Sequence, residues 1–315
     1  MKFLFAVSIL VATTTVLARH DLWAEFKVKY NREYELLEDK LRFQIFQKNL
    51  LLIEEHNDRF AKGEVSYFLK VTKFADWTEE ELSNMFKRQS ALKPEINNTG
   101  IFKANPNLKI PDSLDWRESN AVLPVRDQGY CGACWSFSTT GCLEGQLAIN
   151  KNQQIPLSVQ ELVDCSRDFT NEGCSGGDQY VSFEYIRVYG LSSESDYPYI
   201  ERNGNCTKKE RVIKTLSQIQ RVAQDDNSLA QAIATIGPIS VSADARQWLS
   251  YGGGIFDSST CGTNINHAIL AVGYTQDYWI IKNTWGTDWG ENGYMNLKRG
   301  KNMCAIEMDN SYALL

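Results

Sequence analysis

The sequence predicts an α+β protein with a helical N-terminal segment, then a helical half, then a half made mainly of strands. Apolar residues recur every three or four positions over residues 19–60 and again within 134–147 and 177–189, as on one face of a helix. After residue 210 short apolar runs such as 239–243 alternate with turn residues, as strands do. The 315 residues, 43% hydrophobic and 23% charged, are enough for one or two globular domains.

The first 18 residues have the parts of a secretory signal peptide. Lys2 supplies the positive start, residues 3–12 are apolar, and Val16 and Ala18 suit positions −3 and −1 of a cleavage after Ala18. A membrane anchor is the alternative, but the run is too short to span a bilayer, and no later run of 18 apolar residues exists. Secretion implies an oxidising compartment, where cysteines pair.

Charge and reactive residues are spread unevenly along the chain. The net charge of −6 argues against a nucleic-acid binder, which needs a basic face. Residues 111–315 hold 16 Lys and Arg against 24 Asp and Glu, a balance of −8, whereas residues 1–110 sum to +2. All eight cysteines follow residue 130, and His267 is the one histidine after residue 110. The two stretches are therefore expected to have different roles.

The helical N-terminal segment carries a spaced pattern of polar and apolar residues. Trp23, Phe26, Tyr30 and Tyr34 fall on one predicted helix face, and a second helix is predicted over residues 36–60. The second helix contains E-x3-R-x2-I-F-x2-N-x3-I-x3-N, formed by Glu38, Arg42, Ile45, Phe46, Asn49, Ile53 and Asn57. A plain helical hairpin is the alternative, but the pattern resembles the prosegment signature of papain-like cysteine proteases of the cathepsin L type. Glu38 and Arg42 are spaced for an i,i+4 ion pair.

A second prosegment motif of that family, G-x-N-x-F-x-D, is matched in part. Phe74 and Asp76 agree with it, while Lys70 and Thr72 replace Gly and Asn. We expect the prosegment to fold as in the family, but its response to pH does not follow from the motif. Residues 88–110 are polar and contain two prolines, as linkers do. The predicted divisions are therefore signal peptide 1–18, inhibitory prodomain 19–87, linker 88–110 and protease domain 111–315. Sequons occur at Asn97 and at Asn205, the latter beside a cysteine expected to form a disulfide.

The central motif of the chain is Gln128-Gly-Tyr-Cys131-Gly-Ala-Cys134-Trp, which matches the papain and cathepsin signature C-G-[SA]-C-[WY]. His267 and Asn283 follow Cys134 at the distance that signature requires. The resemblance runs from the prosegment to the last strand. It implies a papain-like fold of two domains, a helical left domain and an antiparallel, barrel-like right domain. It also implies a cysteine endopeptidase that is made as an inactive precursor.

The residues themselves suit that chemistry. Cys134 opens a predicted helix, whose dipole favours a thiolate nucleophile. His267 must be the base if the segment uses Cys–His chemistry; a structural histidine is the alternative. Asn283 can orient the imidazole and Trp285 can shield that bond from water. Gln128 can donate to the oxyanion together with the Cys134 N–H, although a surface turn residue is the plainer interpretation.

Other interpretations of the cysteines are weaker. Cys131 and Cys134 could form a redox pair, but such motifs usually lie in a βαβ unit with few other cysteines. The family resemblance instead implies three disulfides, Cys131–Cys174, Cys165–Cys206 and Cys261–Cys304. Cys142 is then interpreted as a buried packing residue. A metal site is disfavoured because one histidine and paired cysteines are poor ligands, and no cofactor is expected.

The resemblance also indicates where substrate binds. Residues 173–177, Gly-Cys-Ser-Gly-Gly, resemble the family's substrate-binding loop and are here named the glycine loop. Glycine permits close approach of a peptide backbone, although a simple disulfide turn is the alternative. The substrate-binding positions implied by the family are Gly176, Gly177, Asp178, Ile265, Ala268, Trp285 and Asp309. Two carboxylates in the pocket for the substrate's P2 side chain would admit Arg or Lys as well as Leu or Phe. The alternative is that both carboxylates point to solvent.

The resulting hypothesis is an active cysteine endopeptidase that cleaves peptides and proteins. Exopeptidases of this family carry extra loops, some with additional histidines, whereas this C-terminal segment has no second histidine and no long insertion near Cys174. A catalytically silent relative and a thiol–disulfide enzyme are the rival hypotheses. We expect a monomer inhibited by its own prosegment, matured at acidic pH, in a lysosome or an extracellular space such as a digestive lumen.

Overall fold

A computed structural model of the chain describes residues 19–86, 100–207 and 209–315. The predicted signal peptide, the Asn97 sequon and residues 88–99 of the predicted linker lie outside these residues. The helices are residues 19–29 (α1), Leu36–Ala61 (α2), Glu79–Met85 (α3), Cys134–Lys151 (α4), Val159–Cys165 (α5), Gln179–Tyr189 (α6) and Asp226–Thr235 (α7). The strands are Tyr67–Leu69 (β1), Ile101–Phe102 (β2), Leu114–Asp115 (β3), Gln218–Val222 (β4), Ile239–Ala243 (β5), Tyr251–Phe256 (β6), His267–Tyr274 (β7), Tyr278–Lys282 (β8), Tyr294–Lys298 (β9) and Ser311–Leu314 (β10).

The N-terminal segment, residues 19–86, has its own aromatic core. Trp23 and Phe26 of α1 pack on Phe46 of α2, with ring centroids 5.3 and 5.0 Å from it. The predicted single helix face is wrong at Tyr34, because α1 ends at residue 29 and Asn31 adopts a left-handed φ of 51°. Tyr34 still joins the core, because the chain folds back and its ring stacks on Trp23.

Helix α4 is the central helix of the C-terminal segment, residues 111–315, and residues 134–147 of it are buried. It lies close to the sheet because Gly141 and Gly145 present no side chain there; a Cβ on Gly145 would meet Pro238 at 2.8 Å. The Ser138 hydroxyl donates to the Ile269 carbonyl of β7 at 2.6 Å. This contact fixes the helix that begins at Cys134 against the strand that begins at His267.

The strands form one mixed sheet in the order β1-β6-β9-β8-β7-β5-β10-β4-β2, with β3 paired to β7. The α+β fold is confirmed. The expectation of an antiparallel, barrel-like domain is corrected in two respects, because β2–β4 and β6–β9 are parallel pairs and this strand order has two ends.

Both ends of the sheet come from residues that precede Pro111. β1 of the N-terminal segment pairs with β6, and β2 pairs with β4. An exposed strand edge carries unpaired backbone groups, and these two strands cover them. Residues 100–110 are therefore more than the linker predicted from their composition.

Candidate active site

Cys134 is the first residue of α4, with Ala133 as the N-cap. The 18-residue helix directs the positive end of its dipole at the thiol, which stabilises a thiolate over a thiol. The side chain lies among the buried residues, at 3% exposure. The structure thus places the predicted nucleophile where the helix favours its reactive form.

His267 begins β7, and Asn283 directly follows β8, the strand paired with β7. His267 Nε2 lies 2.8 Å from Asn283 Oδ1, and both residues are fully buried. The Thr284 backbone N–H also donates to Asn283 Oδ1, at 2.8 Å, so that atom is an acceptor and His267 Nε2 carries the proton. The Trp285 ring stacks on the imidazole at 4.8 Å and covers this hydrogen bond.

Gln128 is buried, which argues against a surface turn residue. Its Oε1 accepts from the Thr284 hydroxyl at 2.5 Å, and its Nε2 donates to the Cys131 carbonyl at 3.0 Å. The amide group is therefore held in one orientation and has a second N–H hydrogen for another acceptor. Sequence reasoning missed the part of Thr284, because the two residues are 156 positions apart in the chain.

The three disulfides implied by the family resemblance are confirmed: Cys131–Cys174, Cys165–Cys206 and Cys261–Cys304. Cys131 is bonded to Cys174, so it does not form a redox pair with Cys134. Cys142 is fully buried, as predicted, and burial raises the pKa of its thiol to about 12. A thiol with that pKa is a poor nucleophile near neutral pH. Among the described residues no cluster of potential metal ligands occurs.

The glycine loop is held beside the nucleophile by the Cys131–Cys174 disulfide. The Gly132 N–H donates to the Cys174 carbonyl at 3.0 Å. A Cβ on Gly177 would lie 2.6 Å from the Trp135 ring, so only glycine fits against the residue that follows Cys134. Gly176 has a φ of 121°, which also requires glycine.

The two predicted pocket carboxylates differ in their surroundings. Asp178 is the N-cap of α6, and one of its oxygens accepts from the N–H groups of Tyr180 and Val181. A cap of this kind has a structural role, which weakens the idea that Asp178 receives a substrate cation. Asp309 is paired with Arg221 of β4 at 3.7 Å. Of the apolar pocket residues, Ala268 is fully buried and Ile265 is half-buried.

The N-terminal segment covers this region. Phe86, which follows α3, lies edge-on to His267 and Trp285 at 6.3 and 6.2 Å. Phe74 lies edge-on to Trp285 at 5.0 Å, and Trp77 stacks on Tyr130 at 4.8 Å. Aromatic side chains of the N-terminal segment thus lie directly over the predicted base and its shielding indole.

Contacts between the two segments are also ionic, with the cations on the N-terminal side. Lys29 pairs with Asp288 at 2.9 Å and Lys73 with Asp127 at 2.5 Å. The two departures from the second motif contribute as well. Lys70 Nζ donates to the Gly290 carbonyl and the Thr72 hydroxyl to the Leu249 carbonyl, at 2.8 and 2.7 Å. The positive residues of the N-terminal segment therefore pair with negative residues of the C-terminal segment at their interface.

The prosegment pattern forms a network within the N-terminal segment. Arg42 donates to Glu38 at 3.0 Å, the predicted pair, and to both oxygens of Glu81, with Nη2 2.9 Å from one of them. The Asn57 side chain pairs with the backbone of Leu69 at 2.8 Å in both directions, and Asn49 donates to the Ala75 carbonyl at 2.8 Å. Phe46 and Ile53 are buried. These contacts hold β1 and α3 against α2.

Comparison with known proteins places these features in one family. The family model described as "Papain family cysteine protease" matches residues 110–314. The chain belongs to the papain family of cysteine proteases. A second model, "Cathepsin propeptide inhibitor domain (I29)", matches residues 23–82, so the N-terminal segment is the inhibitory prosegment of the precursor.

Several relatives match over nearly the whole chain. The "Cathepsin L-like proteinase" of Phaedon cochleariae is 42% identical over 324 aligned residues, with 100% of both chains covered. "Procathepsin L" of Mus musculus is 36% identical, covering 93% of this chain and 91% of its own. The structure of "digestive procathepsin L 3 of Tenebrio molitor larval midgut" superimposes with a TM-score of 0.87 at 40% identity. The match covers 94% of this chain and 99% of the Tenebrio chain. The chain is a cathepsin L-like cysteine endopeptidase in zymogen form.

Proposed function

We propose that Cys134 is the nucleophile, His267 the general acid and base, Asn283 the residue that orients the imidazole, and Gln128 an oxyanion donor. The single observation that carries this assignment is the bond of 2.8 Å between His267 Nε2 and Asn283 Oδ1 beneath Trp285. It leaves Nδ1 as the nitrogen that exchanges a proton with the thiol. No other histidine follows residue 110.

The reaction proceeds in two steps. The Cys134 thiolate attacks the carbonyl carbon of the scissile peptide, and the negative oxygen accepts hydrogen bonds from Gln128 Nε2 and the Cys134 N–H. The C–N bond then breaks as imidazolium His267 gives its proton to the leaving amine. In the second step His267 takes a proton from water, whose oxygen attacks the thioester and releases the acid and the thiolate.

The orienting role of Asn283 is tested by Asn283→Ala. Without the acceptor the imidazole loses its fixed orientation, and a misplacement of about 1 Å costs on the order of 100-fold in rate. We expect kcat to fall about 100-fold with KM little changed. Asn150→Ala, at the exposed far end of α4, is the matched control. Full activity of Asn283→Ala would reject the assignment.

We further propose that the P2 pocket accepts Leu and Phe and, through Asp309, also Arg. The ion pair with Arg221 is long at 3.7 Å, and the Asp309 side chain is 13% exposed, so a substrate cation can compete for it. A charge-assisted hydrogen bond adds about 1.5–3 kcal/mol. Arg221 will reduce that gain, which gives roughly a tenfold effect.

Asp309→Ala is therefore expected to lower kcat/KM about tenfold for peptides with Arg at P2. Peptides with Leu or Phe at P2 should change little. Asp277→Ala, whose side chain is 70% exposed, serves as the control. Unchanged cleavage of the Arg peptides by Asp309→Ala would show that this carboxylate does not contribute to P2 binding.

We propose that acid releases the prosegment through Glu81 and Asp288. Burial alone would raise the pKa of Glu81, but hydrogen bonds from Arg42 and Thr78 outweigh it and leave that pKa below its ordinary value of 4.5. Burial is likewise outweighed at Asp288, where Tyr30 and Lys29 leave the pKa below 3.8. A lowered carboxyl pKa stabilises the docked state above the ordinary value and loses that effect as the pH falls through the lowered value.

Asp76 acts in the opposite direction. Burial raises its pKa above 3.8, against the effects of Tyr34, Arg32 and Arg42. A raised carboxyl pKa means that the folded prosegment takes up a proton more readily, so acid favours its folded state through this group. Acid therefore weakens the prosegment through Glu81 at pH values below its ordinary pKa of 4.5 and through Asp288 below 3.8, and Asp76 is not the trigger.

The place of action is proposed from relatives. The matched proteins include a "Digestive cysteine proteinase 1" of Homarus americanus as well as the mouse procathepsin L. We propose an enzyme of the secretory pathway that works as a monomer in an acidic lysosome or digestive lumen. Among the described residues no helix is long and apolar enough to cross a membrane.

A further inference from the structure

Residues 100–105 lie along the β4 end of the sheet and beside α7. β2 runs parallel to β4, with Ile101 opposite Arg221 and Phe102 opposite Val222. The Ala223 N–H donates to the Phe102 carbonyl at 2.9 Å. The segment before Pro111 is thus bound as an added edge strand.

Two side chains of α7 continue the recognition of this backbone. Ser228 Oγ accepts from the Ala104 N–H at 2.9 Å. Gln231 Oε1 accepts from the Asn105 N–H at 2.8 Å, while Gln231 Nε2 donates to the Asn105 carbonyl at 2.9 Å. The glutamine amide pairs with a peptide group as a neighbouring strand would. Because the partners are main-chain atoms, these contacts do not depend on the sequence that is bound.

Phe102 is the position of the bound strand whose side chain makes a specific contact. The half-buried Phe102 ring packs edge-on against Tyr312, at 6.1 Å between centroids. Ile101, the residue before it, is 56% exposed. At Gly100 an added Cβ would meet only the end of the flexible Gln220 side chain, so this position selects little. The site therefore fits an extended peptide with an aromatic residue at the position of Phe102.

The site is separate from the catalytic cleft. β4 is three strands away from β7 in the order β7-β5-β10-β4. At about 4.8 Å between neighbouring strands, its edge is roughly 14 Å to the side of the strand that begins at His267. A peptide at this edge leaves the cleft open for a second segment of the same chain.

We propose that the β4 edge and α7, here named the β4–α7 groove, form a peptide-binding exosite of the protease. Residues 100–105 fill the groove in the precursor. After cleavage ahead of Pro111 the groove binds an extended segment of a polypeptide substrate, with an aromatic side chain in the place of Phe102. Addition of a peptide to an open strand edge is a common mode of recognition, and a second attachment point strengthens binding of long substrates. The inference rests on the proposed proteolytic function.

The first test measures the groove directly. The acid-matured enzyme is sequenced at its N-terminus and titrated with a fluorescent peptide of residues 100–109, followed by anisotropy. We expect a start near Pro111 and saturable binding, about tenfold weaker for a peptide with Phe102→Ala because half of a phenyl ring is no longer buried. A matured chain that still begins before Gly100, or an enzyme that does not bind the peptide, would overturn the proposal.

The second test asks whether the groove serves substrates. Gln231→Ala should raise KM for an unfolded protein substrate about tenfold, through loss of two hydrogen bonds, and leave hydrolysis of short P2 peptides unchanged. Gln153→Ala, an exposed glutamine beyond α4, is the matched control. The free peptide of residues 100–109 should inhibit hydrolysis of the protein substrate and should not inhibit hydrolysis of the short peptides. Binding of the peptide without any effect on protein hydrolysis would overturn the exosite. If short peptides were not cleaved, the proposed function would fail, while anisotropy would still report on the groove.

Discussion

Replacing Cys134 with Ala is expected to abolish peptide hydrolysis by the matured enzyme, with kcat/KM falling at least about 10⁴-fold. The thiolate forms the covalent intermediate, and the residues that remain can only bind and polarise the substrate. The fold should tolerate the change, because Ala is the smaller residue and Cys134 makes no disulfide. Thermal unfolding of the variant precursor tests whether the fold is intact. Hydrolysis of short peptides with Leu or Phe at P2 measures the fall in kcat/KM.

Cys131→Ser is the matched control for this prediction. It removes the Cys131–Cys174 disulfide and loosens the loop that carries Gly176 and Gly177, but it keeps the nucleophile. We therefore expect Cys131→Ser to weaken substrate binding and lower stability while hydrolysis remains measurable. A thiol–disulfide enzyme would need both cysteines of the pair. A fall in kcat/KM of much less than about 10⁴-fold for Cys134→Ala, or complete loss in a folded Cys131→Ser, would contradict the assignment.

Replacing Arg42 with Ala is expected to make the precursor active at neutral pH. Arg42 is 8% exposed and joins Glu38 and the main chain of Asp76 to Glu81 of α3. Removal of one partner from a buried ion pair lowers the stability of the folded state by about 3–5 kcal/mol. Because Glu81 is partly exposed, we expect the lower end of this range. About 3 kcal/mol corresponds to a shift of more than 100-fold toward the released prosegment. Hydrolysis by the unprocessed precursor at pH 7 should rise accordingly.

Lys40→Ala, on the exposed side of the same helix, is the control for helix stability. If Arg42→Ala cannot be produced folded, Glu81→Gln keeps the side-chain volume and removes the charge of the partner. That variant should mature at a higher pH than the natural precursor, because the ion pair is already absent. A folded Arg42→Ala precursor that stays inactive at pH 7 and matures at the natural pH would contradict the account.

The parts of the site that follow from local pattern could be predicted from sequence. The signature around Cys134 and its spacing to His267 identify the two residues, and the apolar runs that follow them predict a helix start and a strand start, as the structure has them. Contacts across the chain could not be read in this way. The Thr284 hydroxyl that orients Gln128, and the Arg221 that pairs with Asp309, become visible only when the elements are packed together.

One prediction stays open and one strand leaves no trace in the sequence, each for a physical reason. The offset from landmark residues that assigns Asp178 to the P2 pocket fixes a position along the chain and not the direction of a side chain, and in the structure this carboxylate caps α6. β2 has only two residues, too few for the alternation of a strand to be visible in the sequence. Its formation depends on the β4 edge and α7, which lie more than 100 positions away.

The most direct test is to label the purified precursor with a papain-family epoxide inhibitor at pH 7 and again after acidification to pH 4, and to map the modified residue by mass spectrometry. The account predicts little labelling and no hydrolysis before acidification. Afterwards it predicts one inhibitor per chain on Cys134, formed in parallel with the appearance of peptide hydrolysis. Equal labelling before and after acidification, a label on another cysteine, or hydrolysis that survives full modification of Cys134 would contradict it.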